Sequence, residues 1–401
     1  MVPHLVTALT GSIGELEQRI LDSMPAIERW FRLEWMEHTP PFYCAVDVRN
    51  AGYKLAPTDT DLFPRDWHLL TPAMLPLAVQ AAMAAIEKIC PEARNLLIVP
   101  QSRNTSPAYW RNIAQLQRIF HTAGLNVGIG SISPDVKERI TVPLPDGESL
   151  QLEPALRTNG RLVLQDFDPC TILLNNPLRT GVPGILEELH TQFLLPPLHA
   201  AWATRRKNVH ARCLEEIGRR FGKLIGVDHW LLAPLFDHRP QMDFSNSTDR
   251  EALAEQVDAL LTKIRRKHKE YGIKEKPFVV LKADDDNPAL GTVSIREGKE
   301  VHNLYINAAI PATCDIFLQE GLATTPEGSD HLAANPVVYT IDRYVVGGFQ
   351  RTETEGIPLT FAKPGASVPN RFYMYGVMGR LAMLAASYEL EATDPNAEHY
   401  D

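Results

Sequence analysis

NLLIVPQSRNTSPAYWRNIAQLQRIFHTAGLNVGIG, residues 95–130, decides the fold class. It opens on the continuously apolar run Asn95–Pro100, the mark of a strand buried on both faces of a parallel sheet. A polar loop follows, and from Tyr109 to Ala123 the apolar residues recur at helical spacing. Gly124 is placed to stop that helix, and Leu125–Ile129 reads as the next strand. Strand, polar loop, helix, strand is the grammar of a βαβ unit, in which ligands sit beyond the carboxyl ends of the strands.

Outward from this core, Leu70–Cys90 reads as a helix, Phe42–Arg49 alternates as a strand, and Ser12–Leu33 is an amphipathic helix. The stretch between Asn50 and Trp67 reads as a polar loop. On the other side, 138–165 reads as a β-meander or hairpin and Thr171–Asn176 as a further apolar strand. Pro196-Pro197 then opens a long basic helix, which marks a domain boundary. Beyond it come a helix over Thr248–Tyr271 capped by Ser247 or Thr248, a strand in KPFVVLKAD and a hairpin in TVSIREGKEVHNLYI. A strand in CDIFLQEGL, a strand pair in PVVYTIDRYVVGGFQRT and a helix over Phe372–Leu390 complete the chain. The expectation is an α/β protein of two parts, an N-terminal α/β domain over 1–195 and a second domain over 196–401.

With 401 residues and a net charge of -9, the chain is long enough for two or three domains and too acidic for a general nucleic-acid or anionic-membrane binder. A local basic pocket for a phosphorylated ligand is compatible with that balance. Five cysteines, with no C-x-x-C, argue against a disulfide framework and fit a reducing cytoplasm. No signal peptide is evident, and the most apolar stretch, 72–86, is short of the roughly 20 residues of a membrane span. The dinucleotide fingerprint, the P-loop, H-E-x-x-H and G-x-S-x-G are all missing. Association with further copies of the chain is left open.

Three sets of residues could carry chemistry. Lys282 ends the strand of FVVLKAD, where its ammonium could neutralise a phosphate, and 37 residues later Gln319 and Glu320 end another apolar strand. Alone, each is an ordinary strand end; together they have the layout of an ATP-grasp lid and hinge. Polar strand ends form the second set: Arg49, Asn50 and Lys54, then Arg103 and Asn104, then Asn175 and Asn176. Cations and amides converging in a crevice suit an amino-acid substrate, whose carboxylate takes a forked arginine contact. The third is Arg205-Arg206-Lys207, a solvated helix face or a phosphate clamp, with Arg351 as a further charge for phosphoryl transfer.

Long strings of the chain resemble the proteobacterial glutamate–cysteine ligase family with an ATP-grasp fold. They are FYCAVDVRNAGYKLAPTDTDLFP, LLIVPQSRNT, LLNNPLRTGVPGIL, QFLLPPLHAAWATRRKN, FVVLKAD, QEGLAT, NPVVYTIDRYVVGGFQR and NRFYMYGVMGRLAMLAA. The resemblance implies a pre-ATP-grasp-like domain followed by an ATP-grasp domain, and an enzyme of glutathione biosynthesis. There ATP, with Mg2+, phosphorylates the side-chain carboxylate of glutamate, and the amine of cysteine attacks the acyl phosphate. It implies Lys282 on the ATP phosphates, where Arg205 and Arg206 are further candidates, Gln319 and Glu320 at adenine, Arg351 near the transferring phosphoryl group, and Asp342 near metal, with Glu353 or Glu355 as substitute ligands. Arg49, Asn50, Lys54, Arg103, Asn104, Asn175 and Asn176 would recognise the amino acids. Two segments depart from the family: DDNPALG (285–291) offers only Gly291 where a glycine-rich phosphate loop is expected, and TETEGIPLTFAKPGA (352–366) replaces an Asn-containing one. These departures leave open a nucleotide-binding paralogue without turnover, or another carboxylate–amine ligase.

Overall fold

The helix expected over 12–33 is two, α1 (Ser12–Asp22) and α2 (Met24–Glu37), because Pro25 begins a new first turn where its missing amide costs nothing. This is seen in a computed structural model that describes residues 12–101, 106–285, 290–304, 313–323, 335–351, 356–358 and 371–397. β1 (Tyr43–Asn50) next pairs antiparallel with β2 (Leu55–Asp61), in the stretch read as a polar loop. β2 is an edge strand, so Pro57 is tolerated there, and its alternation is carried by Thr and Asp rather than by apolar residues.

α3 (Leu75–Ile89) leads to the parallel sheet. β3 (Asn95–Pro100) pairs in parallel with β4 (Asn126–Ser131) on one side and β9 (Thr171–Asn175) on the other. The crossover from β3 to β4 is α4 (Pro107–Thr122), capped by the Ser106 hydroxyl on the Tyr109 amide. β5 (Ile140–Pro143) and β6 (Ser149–Pro154) extend the sheet beyond β4, and β10 (Phe193–Leu195) extends it beyond β9. β7 (Leu156–Thr158) and β8 (Arg161–Val163) form a separate hairpin.

The basic helix α5 starts later than its sequence suggests, at Lys207, and runs to Ile225. Four antiparallel strands follow in the order β11 (Phe236–Met242), β14 (Cys314–Glu320), β12 (Val279–Ala283), β13 (Thr292–Ile295). α6 (Ser247–Glu270), capped by Asn246 rather than Ser247 or Thr248, closes a second core with Leu253, Val257 and Leu260 against Val279, Leu281 and Leu318. The hairpin expected after Thr292 is a strand followed by a 3-10 turn over Gly298–Asn303. The Gly298 amide is tied 2.9 Å from Asp258 of α6, and a Cβ there would meet the Ala254 carbonyl.

The C-terminal strands return to the N-terminal hairpin. β15 (Asn335–Ile341) pairs antiparallel with β1 and with β16 (Tyr344–Arg351), which pairs with β17 (Gly356–Pro358). The result is one sheet, β17-β16-β15-β1-β2, on which α7 (Arg371–Thr393) packs. The boundary expected at 195/196 therefore separates strands that are hydrogen-bonded neighbours. Among the described residues no helix is long and apolar enough to cross a membrane, and the five cysteines are unpaired.

Candidate active site

A cleft of about 610 Å³, open to solvent, lies between the edge strand β2, the first turns of α5 and the four-stranded sheet. Pro234, Phe236 and Phe317 give it an apolar wall; Arg205, Lys207 and Gln319 give it polar ones. Pairing of β12 with β14 sets Lys282 opposite Phe317, two residue pairs from Gln319 on the same face, and the Lys282 ammonium donates to Gln319 Oε1 at 3.4 Å. Gln319 Nε2 in turn lies 3.4 Å from the Thr58 carbonyl of β2. Lys282 and Gln319 are thus brought together at this cleft.

Glu320 is not with them. Successive strand side chains point to opposite faces, and Glu320 is buried with Lys54 at 2.7 Å, the Trp230 indole at 3.1 Å and the Leu235 amide at 2.9 Å. Burial drives the Lys54 ammonium down to about 8 although Glu320 opposes the shift. The residues expected at the adenine hinge and at the amino acid therefore satisfy each other inside the protein.

A second cleft, also about 610 Å³, opens on the face of the five-stranded sheet and shares Asp59 and Thr60 with the first. Asp47 and Asp59 are direct cross-strand partners, and Asp61 follows Asp59 on the same face. Like charges in that position repel, so the arrangement needs cations. Arg351 Nη1 donates to the two Asp47 oxygens at 2.9 and 3.2 Å, and Arg49 sits two residues along β1. Burial still pushes the Asp47 carboxyl up, against Arg351 and Arg49. At Asp59, surrounding protein also pushes upward, but Lys282, Lys207 and Arg205 outweigh it and hold the carboxyl down.

Arg205 is held from behind. Its Nε and Nη2 donate to Glu389 of α7 at 2.7 and 2.8 Å, and its Nη1 donates to the Thr60 carbonyl. His210 Nδ1 lies 2.9 Å from the same carboxylate, and its Nε2 lies 3.0 Å from the Thr60 hydroxyl. Burial raises Glu389, but Arg205 and His210 prevail and take it down to about 2. Arg206 has another task, donating to the carbonyls of Ala203, Thr204 and Arg205 to close the turn before α5.

Several expected site residues are structural. Asn50 accepts from the Gly52 amide in the β1–β2 turn. Buried Asn175 donates to Tyr43 and the Pro64 carbonyl and accepts from Asn112, while Asn176 bonds the Pro100 carbonyl and the Leu178 amide. Asp342 occupies the β15–β16 turn beside Lys88, at the other end of β16 from Arg351, so these two do not share a site. Arg103, Asn104, Glu353 and Glu355 lie outside the described residues. Sequence reasoning singled out Lys207 with Arg205 but passed over Asp47, Asp59, Asp61 and His210, which line or back these clefts; the i, i+2 acids of TDTD are the signal that could have found Asp59 and Asp61.

The donor sets suit different guests. An apolar wall beside Lys207, Arg205 and Lys282 fits a nucleotide; Asp47, Asp59 and Asp61 are hard oxygen donors of the kind a divalent cation takes. A separate trio, His238, Asp284 and Asp315, has ligand atoms within 4.8 Å of one another, although Asp284 already accepts from the Asn208 amide and side chain.

No curated protein matches the chain. Among solved structures it is similar to a protein from Methylobacillus flagellatus KT assigned as a gamma-glutamylcysteine synthetase, with 45% identity, a TM-score of 0.90 and coverage of 98% of this chain and 100% of that one. D-alanyl-alanine synthetase A from Vibrio cholerae O1 aligns over 75% of this chain and 80% of its own at 10% identity and a TM-score of 0.34, too weakly to bear on the fold. The model of the GshA family, glutamate-cysteine ligase, matches residues 17–358, and the chain belongs to that family.

Proposed function

We propose that the protein joins L-glutamate, through its side-chain carboxylate, to L-cysteine at the expense of ATP, the first step of glutathione biosynthesis. The observation that carries the reading is the pair of clefts meeting at Asp59 and Thr60. ATP takes the first, with adenine against Phe236 and Phe317 and its phosphates toward Lys282, Lys207 and Arg205. Glutamate takes the second, its α-carboxylate on Arg49 and Arg351. The transferring phosphoryl group then crosses where the clefts join. Carboxylates among Asp47, Asp59 and Asp61 would hold Mg2+, which would neutralise phosphate charge when bound. No protein nucleophile is needed: the chain's own residues orient the two carboxyl and phosphoryl groups and draw charge from the transferring oxygens.

In the same reading the strands β11–β14 with α6 serve as the ATP-grasp nucleotide unit, the parallel sheet as the pre-ATP-grasp-like part, and the cytoplasm as the site of action. The test is to supply purified protein with Mg-ATP and glutamate, with and without cysteine, and to assay ADP and the dipeptide. Dipeptide and ADP in equal amounts support the ligase. Nucleotide binding without turnover removes it in favour of a binding paralogue.

A further inference from the structure

A third hollow, of about 550 Å³, is lined by Arg65, Asp66, Gln101, Ser106, Ala108 and Tyr109. It shares Arg65 and Asp66 with the sheet-face cleft and no lining residue with the nucleotide cleft. The three therefore stand in series, with the sheet-face cleft in the middle.

The place of this hollow in the fold is a second, independent pointer. Gln101 follows β3 directly, and β3 is where the strand order reverses: β4 and β6 lie on one side, β9 and β10 on the other. Open α/β sheets take ligands in the crevice beyond the carboxyl strand ends at such a point. The wall is also fixed. The Tyr109 hydroxyl accepts from the Gln101 amide and donates to the Asn175 carbonyl, both at 2.8 Å, locking the ends of β3 and β9 together.

A ligase that activates a carboxylate and then joins it to an amine must bind the amine apart from the nucleotide, with an opening onto the activated carbonyl. Building on the ligase reading above, we propose that this hollow is the subsite of the acceptor amino acid. Its carboxylate lies on Arg65, and its amine is held at Asp66, both residues facing the two compartments. Arg65 is exposed, and Asp66 adopts a left-handed backbone (φ 68°), which sets its side chain at the junction at a conformational cost. The ligand class is a small α-amino acid, not a peptide or a nucleotide.

The test compares two acceptors in steady-state turnover of the full chain with Mg-ATP and glutamate. Cysteine carries the carboxylate; hydroxylamine does not, and it traps the activated glutamate as the hydroxamate. Arg65→Met removes the charge, and Ala108→Phe fills the hollow from an exposed position that tolerates it. Both variants are expected to raise KM for cysteine by about 10–100-fold, the loss of one charge-assisted contact, with KM for ATP and glutamate little changed and hydroxamate formation reduced far less. Equal increases in KM for glutamate and cysteine, or an unchanged KM for cysteine in both variants, overturn the subsite. Failure of the unsubstituted protein to form hydroxamate and ADP at all removes the ligase reading, and the subsite with it.

Discussion

Glu389 touches neither cleft, yet it fixes the arginine that does. Its carboxyl titrates near 2 in the folded chain against 4.5 as a free side chain. The folded value is the lower one, so its stabilisation is complete above about pH 4.5 and is lost as pH falls through that window toward 2. Glu389→Gln leaves Arg205 and His210 facing a neutral amide, and is expected to cost about 3–5 kcal/mol and to flatten the acid limb of stability between these values. Urea unfolding of both proteins across the acid range measures it. Lys282→Ala is expected to weaken ATP binding by about 10–100-fold, as one charge-assisted contact allows, while far-UV circular dichroism stays unchanged; an unaltered ATP affinity would take Lys282 out of the nucleotide cleft. Lys282 and Gln319 were legible because both end continuous apolar strands, and such strands pair. Glu320 was misjudged for want of the pleat: adjacent residues face opposite ways, and its partner Lys54 lies 266 positions away in sequence.

At the scale of elements, β2 is the lesson. LAPTDTD has a proline followed by two hydroxyls and two acids in alternation, so nothing in it exceeds the threshold for an apolar strand. Only its pairing with β1 reveals a strand, and with it the acids Asp59 and Asp61. The βαβ unit around α4 was readable throughout because burial on both faces demands an unbroken apolar run. α7 lies close to the sheet because Gly379 meets it: a Cβ there would stand 2.8 Å from Val338 Cγ1. Gly379→Leu is expected to cost about 1–3 kcal/mol by overpacking and, by lifting Glu389 from Arg205, to raise KM for ATP as well. Thermal melts and ATP titration separate the two effects, since a helix that merely loosened would change the melting temperature alone.

Across the whole molecule, the sheet joins residues 43–61 to 335–358. No local pattern announces that union, because pairing of β1 with β15 is written in two segments nearly three hundred residues apart. A fragment ending at 195 keeps β1 but loses its β15 neighbour and the α7 cover. Such a fragment is expected to show no cooperative melt as a separate protein, whereas co-expression with 196–401 restores one; a sharp two-state transition in the isolated fragment would show the halves to be independent. The same closure sets a schedule during synthesis. On the ribosome, Asp47, Asp59 and Asp61 emerge nearly three hundred residues ahead of Arg351, and further still ahead of the helix bearing Glu389. Until those segments emerge, the acids lack Arg351 and Arg205 lacks its Glu389 anchor, so the two clefts stay unassembled in the nascent chain.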